Sequence, residues 1–204
     1  MPQRHAPATG RNRTYILEVL QRVLPKTGTA LETASGSGEH AVYFAPELAP
    51  LNWLPSDISA ENLASINAWR EEFPSGNLLP PISLDVSKSV WSVETNPPQQ
   101  AITAIVNINM IHISPWNCCE GLLAGAERIL EPGGILFLYG PFMRGGAHSA
   151  ASNEAFDAHL KVQNPRWGLR NLESVVALAE SHGLECIEVV DMPANNLSVI
   201  FEAG

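Results

Sequence analysis

Thr29-Ala30-Leu31-Glu32-Thr33-Ala34-Ser35-Gly36-Ser37-Gly38-Glu39-His40 is the stretch that decides the fold. A short apolar run enters a glycine loop, and the segment from Glu39 to about Leu48 suits a helix. Strand, glycine loop and helix in that order bring backbone close to a ligand in doubly wound sheets, although two glycines alone also fit a tight turn that binds nothing. Upstream, Tyr15, Ile16, Val19, Leu20, Val23 and Leu24 recur at helical spacing until Pro25 and Gly28 stop the pattern, and residues 1–11 read as a polar leader.

Downstream the alternation repeats. Strands are predicted near Trp53-Leu54, near Ile82-Ser83-Leu84 and from Ala101 to about Ile108, with helices over Ala60–Glu72 and Trp116–Leu130. Pro132-Gly133-Gly134 turns the chain into a fifth strand, Ile135 to Tyr139. Residues 140–171 are the least regular part, an excursion over the sheet with a helix from Asn153 to Val162 and a hinge offered by Gly145-Gly146. A helix from Leu172 to His182 precedes two strands, near Cys186–Val190 and Leu197–Phe201, that flank the turn Pro193-Ala194-Asn195-Asn196. The expectation is an α/β fold, a parallel sheet covered by helices on both faces with an antiparallel last strand.

Composition narrows the function. With 204 residues, 45% of them apolar, one core is expected, and residues 1–204 read as a single domain. Twelve Lys and Arg against 21 Asp and Glu give a net charge of -9, the wrong sign for holding a nucleic-acid backbone. Three cysteines, with Cys118 and Cys119 adjacent, suit a reducing cytoplasmic setting and helix packing better than disulfides or zinc, and the scattered histidines give no metal constellation. No apolar run approaches the ~18 residues of a membrane span, and Met1-Pro2-Gln3-Arg4-His5 leads into no hydrophobic signal region.

Three acids stand at successive strand ends. Glu32 lies four residues before Gly36, where its carboxylate is expected to face the loop and to repel a phosphate while attracting a cationic group such as an amino-acid ammonium. Asp57 follows the second strand at close to the ~20-residue spacing at which an acid takes a ribose diol, and an N-cap for the next helix is the other reading. Asp85, after the third strand, is placed to accept from an exocyclic amine, or simply opens a loop.

Glu32-Thr33-Ala34-Ser35-Gly36-Ser37-Gly38, Asp57, Asp85 and Arg128-Ile129-Leu130-Glu131-Pro132-Gly133-Gly134 together resemble class I S-adenosylmethionine-dependent methyltransferases. Arg11-Asn12-Arg13, Ser35 to Phe44, Asn109-Met110-Ile111-His112-Ile113-Ser114-Pro115-Trp116 and Met192-Pro193-Ala194-Asn195-Asn196-Leu197-Ser198 resemble, more narrowly, the methyltransferase-like twenty-six family. The resemblance implies a Rossmann-like, seven-stranded sheet of order 3-2-1-4-5-7-6 with strand 7 antiparallel. It implies S-adenosylmethionine as cofactor, with Glu32, Ala34, Gly36 and Gly38 at the methionine part, Asp57 at the ribose, Asp85 and Val86 at the adenine, and Asn109 beside them.

Methyl transfer chiefly needs an aligned nucleophile and excluded water, so a general base is optional. Asn109 and His112, after strand 4, are the candidate catalytic residues, with His112 either a base or an orienting group, or else a satisfied structural histidine. Tyr139, Phe142, Arg144 and His148 after strand 5, with Asn195 and Asn196 in the last hairpin, are the candidate acceptor pocket, and residues 140–171 a candidate lid. Arg11 and Arg13 read as an exposed basic leader or a flap.

The function expected is an S-adenosylmethionine-binding methyltransferase with an uncharged or cationic small-molecule acceptor, and no nucleic-acid or membrane partner. Two other readings stay open: a protein that binds the cofactor without transfer, and, on the Gly36-Ser37-Gly38-Glu39-His40-Ala41 pattern, a nicotinamide-dependent oxidoreductase.

Overall fold

The computed structural model describes residues 3–7 and 9–204; Met1, Pro2 and Ala8 of the sequence-predicted leader lie outside the described residues. Elements follow in the order α1 (Thr9–Val23), β1 (Thr29–Thr33), α2 (Glu39–Glu47), β2 (Asn52–Asp57), α3 (Ala60–Glu72), β3 (Ile82–Ser83), α4 (Ser92–Thr95) and β4 (Ile102–Ile108). They continue as α5 (Trp116–Ile129), β5 (Ile135–Gly140), β6 (Met143–Arg144), β7 (Ala147–His148), α6 (Ala151–Gln163), α7 (Leu172–Ser181), β8 (Leu184–Met192) and β9 (Asn196–Ala203). The seven-stranded sheet has the order β3-β2-β1-β4-β5-β9-β8, and β6 and β7 form a separate two-stranded ribbon. This is the order the resemblance implies, with β9 as the antiparallel last strand.

The chain divides into two compact units, one running through Asp85 and including Val90–Val106, the other made of Val86–Ser89 and Asn107–Gly204. In the first unit, β1 is buried along its whole length and pairs in parallel with β2, from Thr29 against Asn52 to Glu32 against Pro55. A strand buried on both faces reads as a continuous apolar run rather than an alternating one, which is why Thr29-Ala30-Leu31 is legible in sequence. β2 extends past the predicted Trp53-Leu54 to Asp57 although it contains Pro55. The N–H of Asn52 donates to Gly28 O on the β1 side and that of Trp53 to Asn77 O on the other. Pro55 is two residues on from Trp53, so its missing donor falls on the β3 side and leaves the β1 ladder intact.

The leader needs correction. α1 begins at Thr9, inside the stretch read as leader, and Arg4 docks on α3: its N–H donates to Ser65 Oγ at 2.8 Å while its carbonyl accepts from Trp69 Nε1 at 3.0 Å. Partners far along the chain hold it, and no local signal announces them. Arg11 is exposed, whereas the Arg13 guanidinium lies over the Tyr43 ring, 4.4 Å from its centroid.

In the second unit, β5 pairs antiparallel with β9 from Ile135 against Glu202 to Gly140 against Leu197, and β9 pairs with β8. Leu136, Phe137, Leu138, Val199, Ile200 and Phe201, fully buried, are its core. Gly145-Gly146, expected as a hinge, forms the tip of the β6–β7 hairpin, with φ of 57° and 78°. Two consecutive positive φ angles are what a two-residue primed turn requires, and only glycine takes both cheaply. α6 begins at Ala151, two residues before its predicted start.

Candidate functional site

The glycine loop is built from the end of β1. Ala34 takes a left-handed φ of 55°, a conformation costing a non-glycine residue about 1 kcal/mol and found where the surroundings enforce it. Here the enforcing contacts are Ser35 N–H to Ser56 O at 2.8 Å and Ser56 N–H to Ser35 Oγ at 3.1 Å. The two loop glycines serve different ends. A Cβ on Gly36 would meet nothing within 4 Å, so its φ of 59° is what selects glycine, whereas a Cβ on Gly38 would come within 2.8 Å of Ile66 Cα, so Gly38 lets α3 approach.

The loop's amides are turned inward. Gly36 N–H donates to Asp57 Oδ2 at 2.9 Å, Gly38 N–H to Ser35 O at 3.2 Å and Glu39 N–H to Ser37 Oγ at 3.4 Å. A pyrophosphate cradle presents such donors to its ligand; this loop engages them itself and sets two carboxylates beside them.

Glu32 was expected to face the loop, but it lies within β1, only 2% exposed, and its Oε2 accepts from Trp53 Nε1 at 3.1 Å. Burial pushes its pKa up to about 7, with the nearby Asp57 charge adding to the effect against the hydrogen bonds from Ser35 and Trp53. No cationic side chain is among the groups acting on it. A buried acid so placed fits a cationic ligand group. Asp57, 4% exposed, closes β2 and accepts from Gly36 N–H and, on Oδ1, from Ser59 N–H at 2.8 Å. A carboxylate has about four acceptor sites, so two amides leave capacity for hydroxyls. The N-cap of α3 is Ser59, which separates that role from Asp57. Leu84 N–H donates to Asp57 O at 3.2 Å, which brings the half-buried Asp85 next to this group. The first unit therefore gathers Glu32, Ala34, Gly36, Gly38, Asp57 and Asp85.

The other candidates belong to the second unit. Val86 is buried, and its carbonyl lies so close to α5 that a Cβ on Gly121 would stand 2.2 Å from it. Asn109 takes a left-handed φ of 64° directly after β4, its N–H donating to Tyr139 O at 2.8 Å and its carbonyl accepting from His112 N–H at 3.0 Å.

His112 is fully buried. Its ring sits edge-on to Phe142 with centroids 4.8 Å apart, and Nδ1 accepts from Arg170 N–H at 3.4 Å. A ring nitrogen that accepts is unprotonated, so the neutral ring carries its proton on Nε2. That atom has no partner among the described residues. It points at Gly140, where a Cβ would stand 2.5 Å from it and 3.2 Å from Asn109 Oδ1. Burial, with Arg170 adding to it, holds the His112 pKa down to about 3. A base that weak is poorly matched to proton abstraction near neutral pH; the geometry suits orientation.

Sequence reasoning missed Arg170. Its Nε donates to Ile111 O at 2.8 Å and one Nη to Ser114 O at 2.6 Å, clamping the turn that carries His112. No spacing pattern links residue 170 to residues 111–114, so only tertiary structure reveals the contact. Gly140→Ala is expected to press a methyl group into the His112 ring and to lower unfolding free energy by about 1–3 kcal/mol. Denaturant titration checks this, and unchanged stability would mean the ring moves freely.

The second unit also holds a pocket of about 170 Å³, lined by Phe142, Arg144, Asp191, Asn195 and Asn196, with Met192 and Leu197 as further apolar lining and Ser149 as a further polar one. Four of the six residues expected at an acceptor pocket thus share one cavity. Tyr139 does not line it, being 3% exposed in β5 opposite Ser198. Nor does His148, whose Nε2 lies 3.4 Å from Asp157 Oδ2. Among the described residues no group of three or more His, Cys, Asp or Glu could hold a metal ion, and no helix is long and apolar enough to cross a membrane.

A protein family described as "protein of unknown function (DUF938)" matches residues 3–203. Among solved structures, an O-methyltransferase family protein from Burkholderia thailandensis superposes with a TM-score of 0.79 at 14% identity, over 97% of this chain and 57% of that one. Human N-acetylserotonin methyltransferase, in complex with SAM, gives 0.76 at 14% identity over 97% and 53%. An O-methyltransferase family 2 protein from Planctomyces limnophilus, in complex with apigenin, gives 0.74 at 16% identity over 94% and 62%. The present chain spans less than two thirds of each, and at such identities the likeness establishes the shared fold.

Proposed function

The chain belongs to the DUF938 family and has the class I methyltransferase fold, and we propose that it binds S-adenosylmethionine and transfers its methyl group to a small-molecule acceptor. The observation that carries this reading is the pair of buried acids, Glu32 and Asp57, at a glycine loop whose amides are already engaged. Such a site favours an ammonium and sugar hydroxyls over phosphates, which counts against a nicotinamide dinucleotide. The SAM-bound human neighbour and the apigenin-bound Planctomyces neighbour are consistent with it. Membership of the methyltransferase-like twenty-six family, action as a single domain and a cytoplasmic location are the finer parts of the same reading.

When bound, the cofactor supplies a methyl group made electrophilic by its sulfonium. Glu32 holds the ammonium, Ala34 and the Gly36–Gly38 backbone shape the methionine site, Asp57 accepts from the ribose hydroxyls, and Asp85 and Val86 serve the adenine. Asn109 and His112 position rather than deprotonate, with Arg170 fixing the His112 ring from behind. The pocket lined by Phe142, Arg144, Asn195 and Asn196 receives the acceptor.

The absence of a well-matched base at His112 favours one second reading, binding without transfer. Calorimetry with S-adenosylmethionine, followed by mass spectrometry for its demethylated product over a panel of acceptors, separates the two. Failure to bind overturns both readings, and binding without turnover on any acceptor favours the second. Asp57→Ala is expected to raise the dissociation constant roughly 10- to 100-fold, about 1.5–3 kcal/mol for a charge-assisted hydrogen bond. An unchanged constant would remove Asp57 from the ribose site.

A further inference from the structure

The pocket of the second unit has walls that are tied from behind. On one side, the tip of the β6–β7 hairpin is held by Gly145 N–H to Glu173 Oε1 at 3.0 Å and Gly146 N–H to Asn171 Oδ1 at 2.9 Å. On the other, the turn before β9 puts Ala194 and Asn195 both at a left-handed φ of 57°. Two such residues in succession need outside support, and Asn153 supplies it. This residue, 4% exposed, donates from Nδ2 to Asn195 O at 2.9 Å and to Ser149 Oγ at 3.0 Å. Asn195 Nδ2 in turn donates to Ser152 Oγ at 3.3 Å. A backbone held in a costly conformation by a buried amide is the mark of a preformed cavity, and preformed cavities bind small ligands with little ordering cost.

Its chemistry is asymmetric. Phe142, Met192 and Leu197 are apolar and more than nine-tenths buried. A wholly apolar cavity of about 150 Å³ takes a benzene-sized group, so this partly polar pocket of about 170 Å³ has the volume for one ring or a short alkyl chain. Among the described residues Arg144 is the one cationic side chain lining it, and its Nη2 lies 3.2 Å from Asp191 Oδ1. The two side chains are 48% and 83% exposed. An ion pair so exposed is weak and readily exchanged for a better anion, and a guanidinium takes a carboxylate by two parallel hydrogen bonds.

We propose that this pocket binds a small carboxylic acid with an apolar body, its ring or chain against Phe142, Met192 and Leu197 and its carboxylate on Arg144, where it displaces Asp191. This deepens the reading of the pocket as the acceptor site and rests on it. It also revises the uncharged or cationic acceptor expected from net charge alone, because Arg144 provides a local positive site in an acidic chain. A phosphate ester is disfavoured, since a second negative charge would face Asp191 with no second cation among the described lining residues to meet it.

The test uses the full chain without cofactor. Benzoate, phenylacetate and hexanoate are titrated against benzamide as the neutral control and benzylamine as the cationic one, followed by ligand-observed NMR and melting shift. The carboxylates are expected to bind and the controls not. Arg144→Gln should weaken the carboxylates at least tenfold, as loss of a charge-assisted pair does. Asp191→Asn should tighten them up to roughly fivefold, the size of a weak exposed ion pair removed as competitor. Both positions are exposed, so the variants are expected to fold, and their melting curves verify it. Equal binding of benzamide, preference for benzylamine, weakening by Asp191→Asn or no binding by any probe overturns the proposal. Calorimetry with S-adenosylmethionine on the same samples reports separately on cofactor binding, so either reading can fail while the other stands.

Discussion

Glu32→Gln is expected to make the ligand-free protein more stable at pH 8, by about 3 kcal/mol, while weakening S-adenosylmethionine binding by at least tenfold. The first effect follows from linkage. The Glu32 carboxyl titrates near 4.5 when unfolded and near 7 in the folded chain, and each unit corresponds to about 1.4 kcal/mol. A raised folded value means that the acid is tolerated in its neutral form below pH 4.5 and that the stability it allows is lost progressively between pH 4.5 and 7. Above pH 7 the full penalty applies. Glutamine stays neutral throughout and keeps an oxygen to accept from Trp53 Nε1. Denaturant unfolding of the two proteins should therefore give similar values near pH 4 and diverge up to pH 8; a pH-independent difference would refute the assignment.

The second effect follows from the role proposed for the acid, since the variant has no charge to meet an ammonium. Binding should also ionise Glu32 and release a proton near pH 6, seen as a binding enthalpy that varies with buffer. In the proposed role, Glu32 would destabilise the empty protein and serve the bound cofactor, the ordinary trade between stability and function.

For His112 the sign is opposite. Its folded pKa of about 3 lies below the ordinary value of 6.5, so the neutral ring contributes stability that is complete above pH 6.5 and is lost as the pH falls toward 3. Between pH 6.5 and 4 the loss should reach about 3 kcal/mol. His40, held down to about 4 by burial, adds to it in the same window, whereas Glu32 works against it. The acid curve of the wild-type chain consequently mixes opposing contributions, and only variants resolve them. His112→Asn, whose side-chain oxygen can accept from Arg170 N–H in place of Nδ1, should show a constant offset above about pH 6.5 and a flatter acid slope below it. An unchanged slope would mean that His112 titrates normally. If transfer is observed, its rate should show no His112 inflection between pH 6 and 8, because a positioning ring already neutral does not titrate there.

These two residues also mark how far the chain can be read without coordinates. The strand, loop and helix around Gly36 are legible because buried parallel strands and glycine turns are local patterns, and α3 falls on its expected Ala60–Glu72 span. The acids Glu32 and Asp57 are legible as candidates by position along the chain. The protonation state of Glu32 is not, because its raised pKa arises from burial, against hydrogen bonds from Ser35 and Trp53 that lower it, and no spacing reveals either. The same holds at the pocket of the second unit. Phe142, Arg144, Asn195 and Asn196 can be nominated one by one from strand ends and turns, but Asp191 as the ion-pair partner of Arg144 needs β8 to be placed.

Local periodicity, turn chemistry and charge order thus determined by themselves the alternation of elements, the glycine loop and the acids at the strand ends, because those features act over a few residues. Tertiary structure alone decided that Glu32 is buried with no cation acting on it among the described residues, that Arg170 clamps His112, and that Tyr139 and His148 stand apart from the pocket. Burial and hydrogen bonding between residues distant in the chain set protonation and cavity lining, and those depend on three-dimensional neighbours rather than on sequence neighbours.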